Sequence, residues 1–139
     1  IPSSLIHGDL FIDNIFFCKG RFGGFIDFFF SAHDSQAYEL AICINSLCFN
    51  KTKNKYIFDT KKASKLFKGY ESIRKLRSEE KRSMKILCKG SALRYLATRA
   101  YDYINTPKNI LIKKKDPSEY IQKLRFHDSI ERFEEYLND

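Results

Sequence analysis

Three oxygen-bearing side chains near the start of the chain, Asp9, Asn14 and Asp27, have the types and spacing that phosphoryl transfer uses. Moving a phosphoryl group to an alcohol asks a protein mainly for positioning. It also asks for metal ions that neutralise phosphate oxygens and for a carboxylate beside the attacking hydroxyl. Asp9 is the candidate carboxylate. Mg²⁺ takes hard oxygen ligands in a near-octahedral shell, and usually one or two carboxylates among them. Asn14 offers a neutral amide oxygen and Asp27 a charged one; Mn²⁺ would use the same oxygens.

The segment between the two proposed ligands must bring them together. Ile15 to Cys18 is apolar, Lys19 to Gly24 contains three glycines, and Gly24 to Phe28 is apolar again. That pattern predicts a strand, a tight turn and a second strand. Such a hairpin sets Asn14 and Asp27 side by side at one end, where a single ion can bridge them.

The run His7-Gly8-Asp9-Leu10-Phe11-Ile12-Asp13-Asn14, followed by Ile26-Asp27-Phe28, resembles the H-R-D-x-x-x-x-N and D-F-G pattern of protein kinases. It is more similar still to the H-G-D-x-x-x-x-N and later I-D of the aminoglycoside and choline phosphotransferase superfamily. Within that superfamily, HGDLFIDNIFF, GFIDFFFSAHDSQAYELAICINSLCF, GSALRYLATRAYD and KDPSEY resemble the homoserine kinases of the protein-kinase-like class.

The resemblance implies Asp9 as base, Asn14 and Asp27 as Mg²⁺ ligands, and ATP as co-substrate. His7 would support the loop rather than react, and Phe28 would pack beneath the metal site. The implied fold is α+β and mostly helical. It is the large lobe of a protein-kinase-like fold, with a catalytic loop and β-hairpin packed on about four helices. In one departure, Glu39-Leu40-Ala41 stands where an Asp-Leu-Ala triplet is usual. The charge is kept on a longer side chain.

The remaining elements are expected to hold this segment still. Phe29 to Ser35 is predicted as a loop. Ala37, Leu40, Ala41, Ile44 and Leu47 predict a central helix from Gln36 to Phe49, capped by Asp34 or Ser35. Glu39 in its first turn suits the helix dipole and can hold the catalytic-loop backbone. A polar, basic loop is expected from Asn50 to Asp59, then an amphipathic helix from Thr60 to Leu76 with Ile73 on its apolar side. Ser78 is expected to cap a long helix whose core face runs from Met84 through Tyr95 to Ile104. Arg94 and Arg99 on that helix are candidates to pair a substrate carboxylate through a two-pronged guanidinium. Thr106 to Lys115 reads as a mobile loop. Asp116-Pro117-Ser118-Glu119 then opens a last helix running to about Leu137.

Composition narrows the function classes. The 139 residues suit one domain, and 43% hydrophobic with 30% charged residues suits a globular one. No apolar run reaches the ~18 residues of a membrane span, and IPSSLIHGDL does not read as a signal peptide. Cys18, Cys43, Cys48 and Cys88 form no C-x-x-C pair. They are expected as buried free thiols in a cytoplasmic protein, with no zinc site. The net charge of +8 lies largely in lysine runs at 51–55, 61–62 and 113–115. These runs lack a basic-aromatic alternation, so nucleic acid is not the expected partner; the field would instead attract an anionic nucleotide.

A kinase plan also places a nucleotide lobe before the catalytic loop, and six residues precede His7. Residues 1–139 are therefore expected to form one partial domain without that lobe, with negligible activity alone. A separate chain could supply the lobe, or exposed apolar surface could drive self-association. The acceptor expected is the homoserine hydroxyl. An aminoglycoside, choline or thioribose acceptor is a second possibility, and a non-catalytic basic scaffold a third.

Overall fold

The computed structural model describes residues 1–107 and 115–137. In chain order these form β1 (Ser3–Ile6), β2 (Ile15–Cys18), β3 (Arg21–Phe25), β4 (Ala32–Ser35), α1 (Gln36–Leu47), β5 (Phe49–Thr52), β6 (Lys55–Phe58), α2 (Thr60–Glu71), α3 (Ser78–Asn105) and α4 (Ser118–Ser129). Short 3₁₀ turns occupy Ile12–Asn14, Phe28–Phe30 and Phe133–Tyr136. The architecture is α+β and mostly helical, with three separate two-stranded antiparallel sheets.

Helix α1 is the axis of the fold. Ala37 and every residue from Leu40 to Asn45 are buried, as befits a helix that is covered on all sides. Helix α3 packs along α1, and α4 packs along α3. The main core joins Leu40, Ala41 and Ile44 of α1 to Phe67 of α2, Met84 and Cys88 of α3, and Tyr136 near the C-terminus. A smaller cluster of Ile42, Ala92, Tyr95 and Tyr120 lies beside the catalytic-loop segment, with Phe11 packed against it.

The β2–β3 hairpin pairs Ile15 with Phe25 and Cys18 with Arg21. Lys19 and Gly20 make its turn, with φ of 49° and 76°. Positive φ at both central residues matches the twist of the flanking strands in a two-residue hairpin. The register shifts between Phe16 and Phe17, opposite Gly23, a bulge of the kind that bends the hairpin. Strand β1 pairs with β4, Ile6 opposite Ala32. The residue just before His7 is thereby tied to the chain that feeds α1.

Several expectations from sequence are corrected. Residues 29–35 are not all loop: a 3₁₀ turn is followed by β4. Asn50–Asp59 contains the β5–β6 hairpin, because Tyr56, Ile57 and Phe58 suit a pleated edge and the Phe49 and Phe58 rings meet at 5.1 Å. Helix α2 stops at Glu71, and Ile73 is 92% exposed. The chain leaves the helical path there so that Arg74 can pair with the fully buried Glu80. Ser78 is the first residue of α3 rather than its cap; the Glu80 carboxylate accepts the Arg77 N–H at 2.9 Å instead. The buried face of α3 ends at Tyr95, leaving Ile104 exposed.

The C-terminal helix is shorter than expected and ends at Ser129. The chain bends at buried Ile130 and returns so that the Tyr136 hydroxyl reaches His127 Nδ1 at 3.0 Å. Helix α4 begins at Ser118, one position later than anticipated: Pro117 is its N-cap, and Asp116 accepts the Ser118 N–H at 2.8 Å from just outside the helix. Cys43, Cys48 and Cys88 are buried, but Cys18 is exposed on the projecting hairpin. Much of the loop expected from Thr106 to Lys115, with Lys113 and Lys114, lies outside the described residues. Among the described residues no helix is long and apolar enough to cross a membrane.

Candidate active site

The backbone of residues 7–14 is gripped from several sides. The Glu39 carboxylate accepts the Gly8 N–H at 2.9 Å. The Ser46 hydroxyl donates to the Leu10 carbonyl at 2.7 Å, so α1 holds the loop at two points. His7 is buried; its Nε2 lies 2.8 Å from the Ile26 carbonyl, and its Nδ1 accepts the Asp9 N–H at 3.3 Å. Those two bonds fit one neutral tautomer, protonated on Nε2. His7 thus ties the loop to the strand leading into Asp27. Gly8 has φ +78°, and a Cβ there would stand 2.4 Å from the Phe30 carbonyl oxygen. Only glycine fits this close approach.

The hairpin brings Asn14 and Asp27 to its open end, where the Asn14 carbonyl accepts the Ile26 N–H at 3.1 Å. Asp27 itself has φ 61° and ψ 64° and starts the Phe28–Phe30 turn. Aspartate visits this left-handed region more readily than bulky residues do. Asp9, Asn14 and Asp27 line one open cleft of about 250 Å³, together with Asp13, Arg99 and Asp102. A larger groove of about 550 Å³, between α3 and the C-terminal turn, contains none of the three. The smaller cleft is the candidate site because of the chemistry of its side chains, not its size. The Phe28 ring lies 4.7 Å from the His7 ring but remains half exposed.

The donor set fits a small hard cation. The Asn14 amide nitrogen donates to the Asp9 carbonyl at 2.9 Å, which turns the amide oxygen away from that contact. An amide oxygen and the Asp27 carboxylate are the ligand types Mg²⁺ takes while keeping several waters or phosphate oxygens. Among the described residues no three His, Cys, Asp or Glu side chains cluster as a metal cage.

Tyr95, assigned by spacing only to the core face of α3, is part of the site. Its hydroxyl donates to Asp9 Oδ1 at 2.8 Å and sits 3.3 Å from the Gly8 carbonyl. Burial, and then the Asp9 hydrogen bond, push its pKa far above the ordinary tyrosine value, so it stays a donor. Arg94 Nη2 approaches the same Asp9 oxygen at 3.6 Å, with its guanidinium over the Tyr95 ring. Arg99 lines the cleft but is engaged: it pairs with Glu119 and lies over the Tyr120 ring. Glu119 also binds Lys123. Burial pushes the Glu119 carboxyl up, but the Lys123 and Arg99 cations outweigh it and hold it below the usual range. Periodicity placed Ser46, Tyr95 and Glu119 on helices, and nothing in their local sequence marked their partners.

The model of the phosphotransferase enzyme family matches residues 1–75. Homoserine kinases of Sinorhizobium fredii and Rhizobium meliloti are each 46% identical over 136 residues, covering 98% of this chain and 41% of theirs. The homoserine kinase of Brucella anthropi is 43% identical over the same length. The chain spans about two-fifths of the length of these curated relatives. With a family model covering more than half its residues, and with the H-G-D loop, hairpin and helical support in place, the chain belongs to the phosphotransferase enzyme family.

Proposed function

We propose that residues 1–139 form the large lobe of an ATP-dependent kinase that phosphorylates the side-chain hydroxyl of homoserine. The observation that carries this reading is the convergence of Asp9, Asn14 and Asp27 on one cleft. Support for the acceptor comes from the relatives, which are homoserine kinases matched over nearly the whole of this chain.

Asp9 orients the acceptor hydroxyl and takes its proton. Asn14 and Asp27 would hold Mg²⁺, which would supply charge neutralisation at the phosphate oxygens. Glu39, Ser46 and His7 keep the loop rigid. A base so placed contributes about 10²–10⁴ in rate once both substrates are held. Arg94 supplies positive charge beside Asp9 for an anionic substrate group, whereas the Arg99 guanidinium is taken up by Glu119.

We further propose that a nucleotide-binding lobe from outside this segment covers the apolar face around the hairpin. Leu5, Phe16, Phe17, Phe22, Phe28 and Phe29 are all exposed there, Phe29 by 84%. Exposed apolar side chains grouped in this way mark a surface that a partner can cover. Self-association through the same face is the alternative.

The test is ATP-dependent phosphorylation of homoserine, measured with this chain alone and with the nucleotide-lobe polypeptide of a relative added. Negligible turnover alone, restored by the added lobe and abolished by Asp9→Ala, is the expected result. Restored turnover insensitive to Asp9→Ala removes the proposed base.

A further inference from the structure

Among the described residues, the Asp9 carboxylate is held through one oxygen. The Tyr95 hydroxyl and the Arg94 guanidinium both address Oδ1, at 2.8 and 3.6 Å. Among the described residues no donor reaches Oδ2. An aspartate beside an open cleft would otherwise rotate about two side-chain torsions and present either oxygen.

We propose that Tyr95 is a positioning residue for phosphoryl transfer: its hydroxyl locks the Asp9 rotamer through Oδ1 and reserves Oδ2 for the proton of the attacking alcohol. The role rests on the reading of Asp9 as base given above. In the step served, the acceptor oxygen bonds to the γ-phosphorus of ATP as the bond to the β,γ-bridging oxygen breaks. ADP leaves, and the hydroxyl proton passes to Asp9 Oδ2.

The tyrosine is built for this. It is buried, it stacks on Tyr120 at 5.4 Å, and it meets the Phe11 ring edge-on at 5.1 Å. Phe11 belongs to the loop that carries Asp9, so the ring and the hydroxyl hold the same segment. Arg94 is a weaker candidate for the lock. Its 3.6 Å approach lies beyond hydrogen-bond range, and its side chain is 34% exposed, where water screens the charge.

The experiment compares the 139-residue chain with Tyr95→Phe and Arg94→Gln. Asp9 χ1 populations are read from three-bond NMR couplings. A single Asp9 rotamer is expected in the parent chain and in Arg94→Gln, with averaging over rotamers in Tyr95→Phe. One unchanged rotamer in Tyr95→Phe, or release only in Arg94→Gln, overturns the proposal. Should Tyr95→Phe fail to fold, a correlation between the Tyr95 hydroxyl proton and the Asp9 carboxyl carbon reads the bond in the parent chain; its absence overturns the proposal too. These readouts need no turnover, so they stand or fall apart from the kinase reading. In the lobe-complemented assay, Tyr95→Phe is expected to lower kcat by about 10²-fold, the scale of a misplaced reacting group, with KM for ATP unchanged. An unchanged kcat would show that the lock does not serve the reaction.

Discussion

Glu39 holds Gly8: the carboxylate of a helix-α1 residue accepts a backbone N–H lying 31 positions earlier in the chain, at 2.9 Å. The base candidate is the next residue along, so the buried helix and the reactive loop are one mechanical unit. Glutamate, one methylene longer than the aspartate that the resemblance implies here, reaches that N–H. Glu39→Ala leaves that N–H without its partner, an omission that costs about 1–3 kcal/mol. Urea unfolding of the variant and the parent chain measures it. A loss under a few tenths of a kcal/mol would show that the contact is not structural.

Gly8→Ala is expected to be worse than an ordinary loop substitution. It combines φ +78° with a 2.4 Å clash against the backbone oxygen of Phe30. Left-handed backbone costs a non-glycine residue of order 1–3 kcal/mol, and the clash adds to that. A shift of the unfolding midpoint to lower urea, together with displaced amide resonances for residues 7–14, is the predicted outcome.

His127 gives the fold a pH dependence. It is buried between the Tyr136 hydroxyl and Asn45 Oδ1, which suits a neutral ring protonated on Nε2. Burial, and then the Lys123 charge, lower its pKa from 6.5 to about 3. The folded-state pKa lies below the unfolded one, so the unfolded chain binds the extra proton in between. Stability is therefore full above the unfolded pKa and falls as the pH drops below it, by about 1.4 kcal/mol per pH unit. Urea titrations between pH 6.5 and pH 5 should show that slope, and His127→Asn should flatten it.

Glu119 stands between two cations, Arg99 at the cleft and the buried Lys123. Removing one partner of a buried charge cluster leaves the rest uncompensated, at about 3–5 kcal/mol. Glu119→Ala is expected to destabilise the chain on that scale and to displace Arg99 from the cleft wall. Thermal unfolding and a crystal structure of the variant check the two parts separately.

Asn14→Ala and Asp27→Ala are each expected to weaken Mn²⁺ binding at least tenfold, or about 1.4 kcal/mol, as read by electron paramagnetic resonance. Asp34→Ala, outside the cleft, is expected to leave it unchanged. Equal binding in all three variants would dissociate the cation from this pair of ligands.

The parts of the protein legible in its sequence are those written in short-range rules. The hairpin between Asn14 and Asp27 follows from two apolar runs and a glycine-bearing turn, and its pairing needs no distant partner. The apolar set of α1 declares a buried helix by its spacing alone. Less legible were the ends of elements. Ile73 looked like a continuation of α2, and the stop at Glu71 depends on Arg74 finding Glu80 in the next helix. The β5–β6 hairpin was hidden by its lysines, which sit on exposed positions while Phe49 and Phe58 meet.

Residue type and spacing alone singled out positions 9, 14 and 27 and the helices that would carry them, because backbone conformation and periodicity are local. Only the packed chain decided which hydroxyl meets which carboxylate. Tyr95 and Asp9 are 86 positions apart, and their 2.8 Å contact exists because α3 packs on α1, whose Glu39 and Ser46 hold the loop that carries Asp9. Helical periodicity states which face turns inward; which atom waits there is set by the close packing of side chains from several elements at once.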